Sequence, residues 1–182
     1  MGGPDATPLW GRALAAGLLL ALGGCLGTVA PDTLSDTATV TTHLECVPYA
    51  RGHSQVKIYG DAYTWWDKAA GVFARGPVPL EGAVMVLHNY AGTERAHLAV
   101  VRRLISPREI RIDHANWFDD GAIYVNDPVM DVSAANDWSQ VRVWNIRDGG
   151  WGARIYPVKG FIGPDRSDAF RVAGLPPGDA AP

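Results

Sequence analysis

Cysteine is almost missing from this chain: 182 residues hold two, Cys25 and Cys46. A disulfide framework of the kind that staples small secreted domains is therefore excluded. Charge of one sign is missing too. Sixteen basic against 19 acidic side chains leave a net charge of −3, which offers no electrostatic footing for nucleic acid as a partner. Charged residues make up only 19% and hydrophobic ones 47%, which excludes a disordered polar chain. There is no internal repeat. The apolar run Ala13–Leu22 is ten residues long, too short to span a bilayer comfortably. What is abundant is Gly (21) and Pro (13), which point to many turns and short strands. The seven tryptophans suit either a small domain's core or a carbohydrate or peptide cleft.

The short apolar run fits a signal-peptide core. It is followed by Leu22-Gly23-Gly24-Cys25, which resembles the box of a bacterial lipoprotein signal, whose cysteine is acylated after cleavage. Residues 1–25 are therefore expected to be a signal peptide of lipoprotein type, with Cys25 lipidated. The mature protein is expected to be exported and periplasmic, a lipoprotein held at the membrane. Residues 26–42, rich in Thr, Ala and Asp, are expected to be a flexible tether. Residues 164–182, ending in Leu175-Pro176-Pro177-Gly178, are expected to be a disordered tail. The folded unit is predicted over 43–163.

With Cys25 taken by lipid, Cys46 is the one remaining thiol. Pro48 places it near the start of a helix, because proline is tolerated in a first helical turn and disfavoured further in. There the helix dipole favours an anion, and a thiol's pKa can fall below its usual ~8.5. The bland alternative for Cys46 is a small buried hydrophobe. A second helix is predicted over Asp61–Ala70, capped by Asp61, ended by Gly71, with Tyr63, Trp66 and Ala70 on one face. After Pro77 and Pro79 the pattern changes to period two. Strands are predicted at Ala83–His88, His97–Ile105, Glu109–Trp117, Ala122–Val125, Val141–Arg147 and Ala153–Val158, with a tight turn at Asp148-Gly149. Asn126-Asp127-Pro128 reads as a loop. Helices first and strands after predict an α+β fold, with the N-terminal helices packed on a C-terminal antiparallel β-sheet.

Strand alternation puts His97 on one face with Ala99 and Val101, and His114 and Asn116 on one face with Ile110 and Ile112. Both faces are expected to look toward the helices, and so toward Cys46. Thiol chemistry needs those residue types together. A base must take the thiol proton and later protonate a leaving amine, and a third polar group must fix the base's tautomer and orientation. Cys46 is the candidate nucleophile and His97 the candidate base. The third role is open between Asn116 and His114. Backbone donors near Cys46 are candidates to meet an oxyanion. Trp117, Trp65 and Tyr49 are candidate substrate-binding residues.

These segments resemble the CHAP domain (cysteine, histidine-dependent amidohydrolase/peptidase), a papain-like family. The resemblance rests on Glu45-Cys46-Val47 with Tyr49-Ala50-Arg51, Gly60-Asp61-Ala62-Tyr63-Thr64-Trp65-Trp66, Pro79-Leu80-Glu81-Gly82-Ala83-Val84-Met85-Val86, Ala96-His97-Leu98-Ala99-Val100-Val101 and His114-Ala115-Asn116-Trp117. It implies a papain-like fold, a nucleophile at Cys46, a base at His97 and an asparagine of the site at Asn116. It implies cleavage of amide or peptide bonds in peptidoglycan, with peptidoglycan as partner and no cofactor. Two positions depart from the family pattern: His114 stands where many members carry glutamate, and Ala96 where glycine is usual. Those departures support a second reading, a catalytically inactive peptidoglycan-binding module of the same fold. A third is a zinc site, since His43 and Cys46 have a ligand-like gap that His97 or His114 could complete.

Overall fold

A computed structural model describes residues 1–3 and 37–164. The predicted signal segment with Cys25, most of the tether and nearly all of the tail lie outside the described residues. Of the predicted tether, Ala38–Val40 form a short exposed strand, β1, pairing with Tyr124 and its neighbours at a sheet edge.

The first helix, α1, runs from Cys46 to His53. Glu45 is still extended (φ −81°, ψ 158°), so the helix begins at the cysteine itself. Pro48 occupies the first turn, as predicted, where its missing N–H costs nothing. Ser54 ends the helix by turning both its N–H and its hydroxyl onto the Ala50 carbonyl, at 3.0 and 2.7 Å.

The second helix is shorter and turned differently from the prediction. A 3-10 turn at Ala62–Thr64 leads into a four-residue helix, α2, at Trp65–Lys68. The Asp61 side chain makes no cap. Instead its carbonyl accepts the Thr64 N–H (3.0 Å) and hydroxyl (2.7 Å), tightening the first turn. Three residues per turn followed by four bring Ala62, Trp65 and Ala69 inward, rather than Tyr63, Trp66 and Ala70. Trp65 is completely buried and its indole N–H donates to the Gly60 carbonyl at 3.2 Å.

The larger correction concerns architecture. The protein is mostly β, and its strands close into a six-stranded barrel; there is no open sheet with helices layered on it. Eight strands follow α2: β2 (Arg75–Gly76), β3 (Val84–His88), β4 (Ala96–Ser106), β5 (Glu109–Ala115), β6 (Ile123–Asp131), β7 (Gln140–Asn145), β8 (Gly150–Trp151) and β9 (Tyr156–Ile162). All pairings are antiparallel. The order β6-β5-β4-β3-β9-β7 returns to β6 through Val129↔Val143, Met130↔Arg142 and Asp131↔Val141. That closure needs β6 to continue through Asn126-Asp127-Pro128, the segment predicted to be a loop. The predicted turn at Asp148-Gly149 is present and joins β7 to β8.

Register shifts at Val86/Leu87, Val101/Arg103, Leu104/Ser106 and Ile112/His114 supply the curvature. Bulges bend a strand and increase its twist, and both favour closure. The barrel interior holds Met85, Leu87, Ala99, Val101, Ile110, Ile112, Val129 and Phe161. A second apolar cluster lies outside, where Tyr49, Ala50 and Trp65 cover Val84, Val86, Leu98 and Val100. The strand β3 and the first half of β4 are thus buried on both faces. The helices pack on the outer one.

Gly160 shows how closely the outer layer sits. Its φ is +144°, and an added Cβ would meet the Trp66 ring at 2.5 Å and the Gly76 carbonyl at 2.8 Å. Gly160→Ala is expected to lower unfolding free energy by about 1–3 kcal/mol in a urea titration. An unchanged midpoint would show that the Trp66 ring is free to move aside.

Candidate active site

A cavity of ≈ 970 Å³ opens where the N-terminus of α1 meets the start of β4. Its wall includes Glu45, Cys46, Asp61, Tyr63, Tyr90, Arg95, His97 and Asn116. Cys46 reaches it because it is the first residue of α1; His97 reaches it from the second residue of β4. The backbone amides of Leu98, next to His97, and of Val47 and Cys46 in the helix's open first turn act on the Cys46 sulfur to lower its pKa.

Alternation places His97 on the barrel-interior face with Ala99 and Val101, but that face turns away from the helices. The expectation that it looks toward them is corrected by closure, since the interior is now lined by the other strands. His97 is 2% exposed and His114 is fully buried beside it. The Nε2 of His97 lies 2.9 Å from Nδ1 of His114, with the two rings edge-on at 86°. His114 Nε2 lies 3.1 Å from a carboxylate oxygen of Asp127, itself 1% exposed. Two aromatics hold the His97 ring: Trp117 edge-on, centroids 4.9 Å apart, and Tyr90 tilted at 5.3 Å. The Tyr90 hydroxyl donates to the Trp117 carbonyl at 2.6 Å, tying the two together.

The candidate third residues separate clearly. His114 contacts His97. Asn116, in a left-handed conformation (φ +59°), donates from its amide to the Glu45 carboxylate at 2.8 Å and accepts the Gly121 N–H at 2.7 Å. It borders the cavity without joining the histidine pair.

The three predicted substrate-binding aromatics are not on the cavity wall. Trp65 sits beneath the outer layer. Tyr49 is 2% exposed, with its hydroxyl donated to Asp113 at 3.3 Å. Trp117 is 6% exposed and serves as backing for His97. Tyr63 and Tyr90 line the cavity in their stead. Tyr63 was read only as sharing a helix face with Trp66 and Ala70. Tyr90 follows β3 in an irregular loop with no periodicity to reveal it. Among the described residues no group of three His, Cys, Asp or Glu side chains is arranged to hold a metal ion, and His43 is exposed.

Burial governs the electrostatics. It pushes the Cys46 thiol above its ordinary value; the Leu98 N–H pulls the other way, and the Glu45 charge adds to the rise. The expected low-pKa thiolate at the helix mouth is therefore not the resting state, because desolvation outweighs the dipole. Burial likewise pushes His97 well below the usual histidine range, helped by the neighbouring His114. In each case burial favours the uncharged form, the thiol of Cys46 and the neutral imidazole of His97. Asp127 is raised above the usual carboxylate range by burial and pulled down by its bond to His114.

A half-buried thiol and a buried histidine thus line one cavity, the histidine backed by a further polar side chain. The family model of the CHAP domain matches residues 35–116, which include Cys46, His97, His114 and Asn116. The resemblance read from the sequence is thereby confirmed for that segment, and CHAP domains are a family of peptidoglycan-related amidases and peptidases. No curated protein matches the chain, and no solved structure does.

The charge state has a measurable consequence. The thiolate is the alkylating species, so a raised thiol pKa moves its reactivity to alkaline pH. The rate of Cys46 alkylation by iodoacetamide is expected to be still climbing above pH ~8.5. A plateau near neutrality would mean a preformed thiolate–imidazolium pair.

Proposed function

We propose that this chain is a cysteine amidohydrolase or peptidase that cleaves amide or peptide bonds in peptidoglycan. The observation that carries the reading is the shared cavity wall of Cys46 and His97, with Nε2 of His97 engaged by His114. Nδ1 of His97 is then the nitrogen left for the thiol proton. As the sulfur attacks the substrate carbonyl, His97 takes that proton, which avoids building a free thiolate in a desolvated site. The oxyanion meets the N–H groups of the first turn of α1, Cys46 among them. The imidazolium then protonates the leaving amine, and a thioester remains. Water activated by the restored imidazole hydrolyses it and regenerates the thiol. A His97 pKa below the usual range keeps the base form present as the medium becomes mildly acidic, so activity extends below pH ~6.5.

His114 is the orienting group in this scheme; Asn116 shapes the cavity rim with Glu45. Purified protein is expected to solubilise peptidoglycan, and Cys46→Ala to lose about 10³-fold or more of that activity. His114→Gln is expected to lose far more than Asn116→Ala. Equal solubilisation by wild type and Cys46→Ala would end the reading. Mass analysis of the released fragments separates cleavage of the sugar–peptide amide from cleavage within the stem peptide.

The segment Leu22-Gly23-Gly24-Cys25 supports export with a lipid on Cys25, so that the domain works periplasmically at a membrane surface. In cells, Cys25→Ser is expected to shift the protein from the membrane fraction to the soluble one. An unchanged distribution would remove the lipid anchor from the proposal.

A further inference from the structure

Asp127 enters the barrel because β6 breaks its own alternation. Tyr124 faces the interior, and in an unbroken strand residues 126 and 128 would follow it there. Instead the β5–β6 register jumps between Ile112↔Asp127 and His114↔Tyr124. The extra residue is absorbed at Asn126, whose φ is +55°. The parity beyond it is reversed: Asp127 lies opposite Ile112 and Val129 opposite Ile110, and so on the interior face with Tyr124. The bulge is held in place. The Asn126 N–H donates to the Asp113 carboxylate at 2.7 Å, and an Arg103 N–H donates to the Asn126 side-chain oxygen at 3.1 Å. Pro128, which has no N–H to give a ladder, follows directly.

The result is a buried line of three side chains: Asp127, His114, His97. Direction along it follows from what each end can do. An ionised carboxylate accepts only, so the proton on its contact belongs to His114 Nε2. A neutral His114 then has a bare Nδ1, which accepts from His97 Nε2–H. His97 is left with a bare Nδ1, the form that can take a thiol proton. Besides its contact with His114, Asp127 feels the charge of Arg111, which is in turn paired with Glu109 at 3.1 Å.

We propose that Asp127 is a positioning residue, which sets through His114 the ring tautomer of His97. This deepens the hydrolase reading and rests on it for its purpose, though the tautomer itself is testable without substrate. Asp127→Asn alters the line in one specific way. Arg111's positive charge favours the amide oxygen, leaving the NH₂ to donate to His114 Nε2. His114 then carries its proton on Nδ1, donates to His97 Nε2, and leaves the His97 N–H on Nδ1, where a base is required.

The measurement is nitrogen-15 NMR of histidine-labelled full-length protein near neutral pH, with imidazole signals assigned by His97→Gln and His114→Gln. Wild type is expected to show His97 and His114 both protonated on Nε2. Asp127→Asn is expected to move the His97 proton to Nδ1. Wild-type His97 protonated on Nδ1 would overturn the proposal, even if the variant failed to fold. So would an unchanged His97 tautomer in a folded Asp127→Asn protein. If no hydrolysis were ever found, the wild-type and variant tautomers would still decide this inference separately.

Discussion

Three residue pairs between β6 and β7 give this protein an inside. Val129↔Val143, Met130↔Arg142 and Asp131↔Val141 join the two ends of the six-strand path. Without them β4 and β5 would show one face to solvent, and His97 and His114 would stand in water. With them the same face is enclosed by Met85, Leu87, Val129 and Phe161. Removing His97 from water raises the cost of charging it. The electrostatic character of the site therefore follows from a closure made on the other side of the sheet.

The position of α1 is the second half of the design. The helix does not enter the barrel. It lies on the outer surface of β4, through Tyr49 and Ala50 against Leu98 and Val100. Its first turn, from Cys46 to Pro48, reaches the rim, where β4 begins. A sulfur carried on the outer layer and an imidazole carried on the inner one thus line one cavity, at the edge where the two layers share the backbone of His97 and Leu98. The first turn supplies donors at the same point, since Pro48 leaves Cys46 and Val47 as the uppermost N–H groups of the helix.

Much of this was legible in the sequence. Pro48 marked the neighbourhood of the helix start, and period-two segments located five strands to within about four positions and the beginning of β6. The shared faces of His97 with Ala99 and of His114 with Ile112 were read correctly. Which side of the sheet those faces looked to was not, because alternation distinguishes two sides without saying what covers each. The helical register around Trp65 failed for a local reason: a 3-10 turn shifts every later position relative to a 3.6-residue count. One misreading had two effects. Proline inside a strand and an asparagine before it ordinarily signal a loop. Reading Asn126-Asp127-Pro128 that way removed both the strand that closes the barrel and the carboxylate that lies against His114. The papain-like layering expected from the family gave way for the same reason, since an open sheet is what remains when β6 is cut short.

The uncharged resting state of Cys46 also bears on durability. Peroxide and disulfide exchange both act on the ionised sulfur, and their rates track its abundance. A side chain kept protonated by its dry surroundings presents little of that form between turnovers. The sole sulfhydryl among the described residues is thereby expected to form sulfenic acid more slowly than an ordinary exposed thiol.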